Sequence, residues 1–83
     1  MGDDKMKRIN PKSVDDLPKN ERVFEENDAG TCRNEYLRMD DDSVFVETFY
    51  RFSQSRPHLT YTKKEFNDWR ADIYKTAKSE GVI

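Results

Sequence analysis

Residues 44–52 read VFVETFYRF, and whether this run is strand or helix decides what the rest of the chain can build. As a strand, its β-branched and aromatic residues suit a pleated, half-buried surface. As a helix it would be capped by Asp42 or Ser43, with Phe45, Val46, Phe49 and Phe52 at helical spacing. The C-terminal half would then be a helical hairpin of helix-turn-helix character. The preceding residues 32–39, CRNEYLRM, favour the strand, because Asp40, Asp41, Asp42 and Ser43 between the two runs form a loop of common hairpin length. Setting Met39 opposite Val44 places Leu37 against Val46, Glu35 against Thr48 and Arg33 against Tyr50. One face then carries Leu37, Met39, Val44, Val46, Tyr50 and Phe52. The other presents Tyr36, Phe45 and Phe49 among Asn34, Arg38, Glu47 and Arg51.

Downstream, Arg56-Pro57-His58 interrupts the pattern, since proline lacks an N–H and pushes the residue before it towards extended geometry. Leu59 and Tyr61 are expected in a brief third strand. Thr62 and Glu65 form a capping box, and Tyr61 and Phe66 stand in the staple relation, so a helix begins at Thr62. Phe66, Trp69, Ile73 and Ala77 make one narrow apolar stripe. On one flank lie Lys63, Arg70, Tyr74 and Lys78; on the other lie Glu65, Asp68 and Asp72. Lys75 and Lys78 suit the negative helix end, Gly81 offers a left-handed stop, and Val82 and Ile83 are expected to fold back onto the core.

Upstream, residues 1–30 are rich in charge, Asn and Pro, with no sustained apolar period. They are expected to form a largely flexible acidic arm, with one possible helical turn at 13–17 and a short extended piece at 22–24. Val14, Leu17, Val23 and Phe24 are its docking points. The fold class expected is therefore α+β: a short antiparallel β-hairpin or three-stranded sheet packed by one C-terminal amphipathic helix, with residues 31–83 forming the domain. The order strand, strand, short strand, helix, with LTYTKKEF at the last junction, resembles the small BldB-type domain that accompanies bacterial regulators. The likeness covers about fifty residues and carries no residue roles with it.

With 83 residues the chain holds one small domain. Leu, Ile, Val and Phe make up 16 of the 83, close to the level of disordered chains, but ten aromatics and a near-neutral balance of 15 basic to 17 acidic residues argue for a fold. Residues 1–42 hold 8 basic and 12 acidic groups and residues 43–83 hold 7 and 5, so neither half has the strongly basic face of a typical nucleic-acid binder. The single cysteine, Cys32, and the lack of a long apolar run point to a reducing, cytoplasmic setting and no membrane association.

Catalysis is not expected, because one cysteine and one histidine, Cys32 and His58, are a thin supply for a nucleophile, a base and an orienting group. The acidic loop lacks the spaced ligands and glycine of a calcium loop, and zinc has no four-ligand set, so no metal or other cofactor is expected. What remains is binding. The expected function is a non-enzymatic protein–protein interaction module, a regulator or inhibitor of phage or mobile-element type. Its partner protein would be met by Tyr36, Phe45, Phe49, Arg70 and Tyr74, and homodimerisation is compatible with the same patch. The alternative is a nucleic-acid-binding regulator using Arg51, Arg56, Lys63, Arg70, Tyr74 and Lys78.

Overall fold

The computed structural model describes residues 6–79, with side chains up to residue 75. Gly81, Val82 and Ile83, expected as helix stop and tether, lie outside the described residues, as does the side chain of Ala77. The elements are β1 (Lys7–Arg8), a 3-10 turn (Val14–Asp16), β2 (Arg22–Glu26), β3 (Cys32–Arg38), β4 (Val44–Tyr50), β5 (His58–Tyr61) and α1 (Lys63–Ser79). They form an α+β fold with one five-stranded sheet in the order β1-β2-β3-β4-β5. The sheet is mixed, because β1 runs parallel to β2 while the other three pairs are antiparallel.

Residues 44–50 are therefore extended and β4 is an interior strand of the sheet, while Arg51 and Phe52, expected to continue it, lie in the turn that follows. The larger difference from expectation lies upstream, where residues 7–26 supply two strands and part of the core. Val14 and Val23 are wholly buried and Leu17 nearly so. The expected boundary at residue 30 is instead a hairpin turn between β2 and β3. Asn27 accepts from the N–H groups of Thr31 and Cys32 through its side chain, and Gly30 takes the left-handed φ of 69° that such a turn requires.

The β3–β4 register is one residue away from the expected one, with Tyr36 opposite Val46 and Arg38 opposite Val44. The loop explains the slip. Met39 and Ser43 still pair, and Asp42 N–H closes a turn on Met39 O at 2.9 Å, so only the three aspartates are outside the ladder. Asp42 adopts φ 67°, the left-handed residue of a three-residue hairpin loop, and is held there by Arg38 at 2.8 Å. Because side chains alternate, this slip moves all of β3 to opposite faces. Tyr36 thus faces the helix, and Leu37 joins Phe45 on the other side.

The helix begins as its sequence signature requires. Glu65 N–H donates to Thr62 Oγ1 at 3.1 Å and Thr62 N–H donates to Glu65 Oε1 at 2.9 Å. Tyr61 and Phe66 meet edge to face at 6.3 Å. Its buried stripe is rotated from the expected one: Phe66 and Arg70 are buried, Trp69 is half-buried, and Ile73 is 39% exposed. The rotation follows from the N-terminal segment, which packs beside the helix as well as under it. Val14 N–H donates to Asn67 Oδ1 at 2.8 Å, and Arg70 Nε donates to Pro11 O at 2.7 Å.

Candidate interaction surfaces

The chemistry of the helix side is inward-looking. Arg70, 2% exposed, makes a two-pronged contact with Glu25, Nη1 to Oε1 at 2.8 Å and Nη2 to Oε2 at 2.9 Å. Tyr36 hydroxyl donates to the same Glu25 Oε1 at 2.6 Å and accepts from Arg70 at 3.2 Å. Burial pulls the guanidinium pKa down, but hydrogen bonding to Glu25 and the negative charges around it outweigh this and raise it. Burial also pushes the Tyr36 phenol well above its ordinary range, and Glu25 adds to the effect as acceptor and as neighbouring anion.

Tyr36 and Arg70 were both expected to meet a partner, and both are instead interior residues bonded to each other. Arg70 lies on a helix flank that the apolar stripe alone leaves exposed. The sequence hint was its position four residues after Phe66, on the same helix face. Glu25 carried no signal at all, since it lies in a stretch without apolar periodicity.

This network predicts an alkaline weakness. Below the ordinary tyrosine pKa of about 10 both folded and unfolded chains keep the Tyr36 proton, so its contribution is complete there. Above that pH the unfolded chain releases the proton while the fold retains it, and stability falls by up to about 1.4 kcal/mol per pH unit. In urea titrations at stepped pH, the stability advantage of the wild type over Tyr36→Phe should shrink as pH rises above 10. Parallel curves for the two proteins would contradict this assignment.

The opposite face of the sheet is covered by no helix or strand among the described residues. On it Phe24, Leu37, Phe45 and Phe49 are half-buried, shielded by one another and by arginines laid over their rings. The Arg33 guanidinium stacks 3.9 Å above Phe24 and that of Arg56 lies 4.7 Å from Phe49. Glu35 and Glu47 stand directly opposite each other across β3 and β4, a pairing that is repulsive by itself. Arg22 bridges both, at 3.1 Å and 3.7 Å.

The remaining expected site residues are dispersed. Tyr74 is half-buried beside Lys12, whose ammonium lies 5.8 Å from its ring. Lys63 pairs with Asp15 at 3.6 Å at the end of the sheet that carries the three aspartates. Arg51 and Arg56 lie at the other end of β4, a separation of about 20 Å along a seven-residue strand. With Arg70 interior and the Lys78 side chain outside the described residues, the set proposed for nucleic acid forms no continuous basic patch among the residues that are described.

Among the described residues no group of three or more His, Cys, Asp or Glu side chains is gathered to hold a metal ion. Cys32 and His58 lie on opposite faces of the sheet, since Cys32 pairs with Tyr50 and His58 with Glu47. Each loop aspartate is engaged locally: Asp40 accepts from Asn20, Asp41 from Ser43, and Asp42 from Arg38. Those hydrogen bonds hold the Asp41 and Asp42 carboxyls below their ordinary pKa. Among the described residues no helix is long and apolar enough to cross a membrane. No family model, curated protein or solved structure matches this chain.

Proposed function

We propose that this chain is a non-catalytic protein-binding module whose docking surface is the uncovered sheet face, with Phe45 and Phe49 as apolar anchors. The supporting observation is that face itself: four large apolar side chains share one side of the sheet, and among the described residues they are sheltered by one another, by guanidinium groups and by the His58 ring. Guanidinium groups lying on aromatic rings are the mixed apolar and polar surface that protein interfaces favour. Glu35 and Glu47 at its centre favour a protein over a polyphosphate backbone as occupant. A regulator or inhibitor that works by occupying a partner's surface needs nothing further. The half-buried free thiol of Cys32 supports a reducing, cytoplasmic setting.

Phe45→Asp with Phe49→Asp tests the proposal, because both residues lie outside the buried core on the helix side. The doubly substituted chain is expected to keep its circular dichroism spectrum and to lose its partner, with each anchor worth about 2 kcal/mol of binding. Bait experiments should compare it with the wild type and with Tyr74→Asp, followed by binding of the purified partner. Equal retention by the doubly substituted chain and the wild type would remove the proposal.

A further inference from the structure

We propose that two copies of this chain join edge to edge through β5, extending two five-stranded sheets into one continuous ten-stranded sheet about a two-fold axis at Leu59. The two margins of the sheet are unlike. At one, β1 is two residues long and both are cationic, Lys7 and Arg8, a margin that resists the approach of another strand. At the other, His58–Tyr61 carries no lysine, proline or acidic residue, and Leu59 on it is 61% exposed. A margin without such guarding residues and with an exposed leucine is open to a further strand.

The ladder fixes which groups are free. Thr48 N–H donates to Pro57 O at 2.9 Å, so bonding to β4 alternates through Pro57, Leu59 and Tyr61. His58 and Thr60 therefore point their N–H and C=O groups away from β4. In an antiparallel pairing of two copies, His58 of each bonds Thr60 of the other, giving four backbone hydrogen bonds with Leu59 opposite Leu59 at the centre. Pro57 falls at a position that needs no N–H, and Thr62, whose N–H is already held by Glu65, ends the ribbon. The same register brings Arg56 opposite Thr62, beside the exposed Glu65 carboxylate, once on each side of the axis.

Side chains agree with this choice of occupant. The central pair is of the non-hydrogen-bonded kind, in which side chains stand closest. A cleft of about 70 Å³ lies over β4 on the inner side of Leu59, between Val46, Tyr61 and Trp69, so the second leucine packs on the exposed Leu59 itself. His58–Tyr61 holds no Lys, Arg, Asp or Glu to oppose self-pairing. So short a ribbon falls under the roughly 1,000 Å² of a durable interface, which makes the association weak and concentration-dependent.

Sedimentation of the purified chain over a wide concentration range tests this directly. The expected result is a mass that climbs from one copy towards two. Thr60→Pro removes an outward N–H without touching the β4 ladder, and Leu59→Lys sets two like charges at the axis; both should leave a folded monomer at every concentration. Should Thr60→Pro unfold, Leu59→Lys decides alone, since its side chain is already exposed. Leu59→Cys in a Cys32→Ser background should cross-link into covalent dimers under mild oxidation. A wild type that stays monomeric up to its solubility limit overturns the proposal and leaves the margin to another protein's strand. Dimerisation that survives both margin variants, or that is lost instead with Phe45→Asp and Phe49→Asp, also overturns it.

Discussion

Glu25→Ala is expected to lower the free energy of unfolding by about 3–5 kcal/mol, because it leaves Arg70 charged, buried and without its acid. The guanidinium is 2% exposed and takes both oxygens of Glu25, so the loss removes two charge-assisted bonds and the acceptor of Tyr36 together. A domain of this length has about 4–12 kcal/mol of stability in all, so the loss is a large fraction of the whole and reads as a lower urea midpoint. Replacing the whole network by apolar side chains is expected to cost far less. Glu25→Leu with Tyr36→Phe and Arg70→Met removes the desolvation penalty along with the attraction. Urea titrations of the single and triple variants separate the two cases, and a loss under 1 kcal/mol for Glu25→Ala would show that the pair is solvated in solution.

Phe66→Ala should be comparably damaging, at about 3–5 kcal/mol, for a different reason. Phe66 is wholly buried and meets three other rings, Tyr36 at 5.6 Å, Trp69 at 5.6 Å and Tyr61 at 6.3 Å, all near the edge-to-face arrangement. Its removal leaves a void beneath the first turn of α1 and frees the stacked Tyr61 and Trp69 pair, now parallel within 5° at 5.4 Å. Loss of near-ultraviolet circular dichroism and a fall in melting temperature of more than 10 °C are expected, at roughly 4–8 °C per kcal/mol for a domain this small. Phe66→Leu, which keeps most of the volume, should lose much less. A variant with unchanged near-ultraviolet signal would mean that the aromatic cluster does not organise the core.

The C-terminal half was legible because its signals are local. A capping box needs two residues three apart, and Thr62 with Glu65 supplies it; alternation needs only neighbours, and residues 44–50 supply that. The register of β3 against β4 was not legible, because it turns on one residue of loop length. Ser43 looks like loop in sequence, yet the left-handed Asp42, an uncommon conformation for a residue other than glycine, returns it to the ladder. The role of residues 7–26 was hidden for a deeper reason. Their apolar residues are sparse because the segment divides its side chains between two faces and a helix flank, with Val23 inward and Phe24 outward on the same short strand. The turn signal Asn27-Asp28-Ala29-Gly30 was present and would have announced a hairpin had the segment before it read as a strand. For the candidate surface, Phe45 and Phe49 were visible from alternation alone, whereas the arginines over them, Arg22 of β2 and Arg56 of the loop before β5, are brought there by strand pairing that no local pattern reveals.

The strap formed by residues 9–17 has a consequence for the order in which the protein can be made. Arg70 and Pro11 are bonded across 59 positions of sequence, and Asn67 and Val14 across 53. A ribosome delivers the strap and Glu25 well before it delivers α1, so the growing chain carries an acid without its base and a sheet without its cover. Contacts of such long reach also slow closure of the core, because the loop must be paid for in entropy before it is rewarded. The β2–β3–β4 ribbon can assemble during synthesis, but the hydrophobic interior is sealed only after Arg70 has cleared the exit tunnel. Until then the nascent chain shows its inner and outer sheet faces alike to the cell's chaperones.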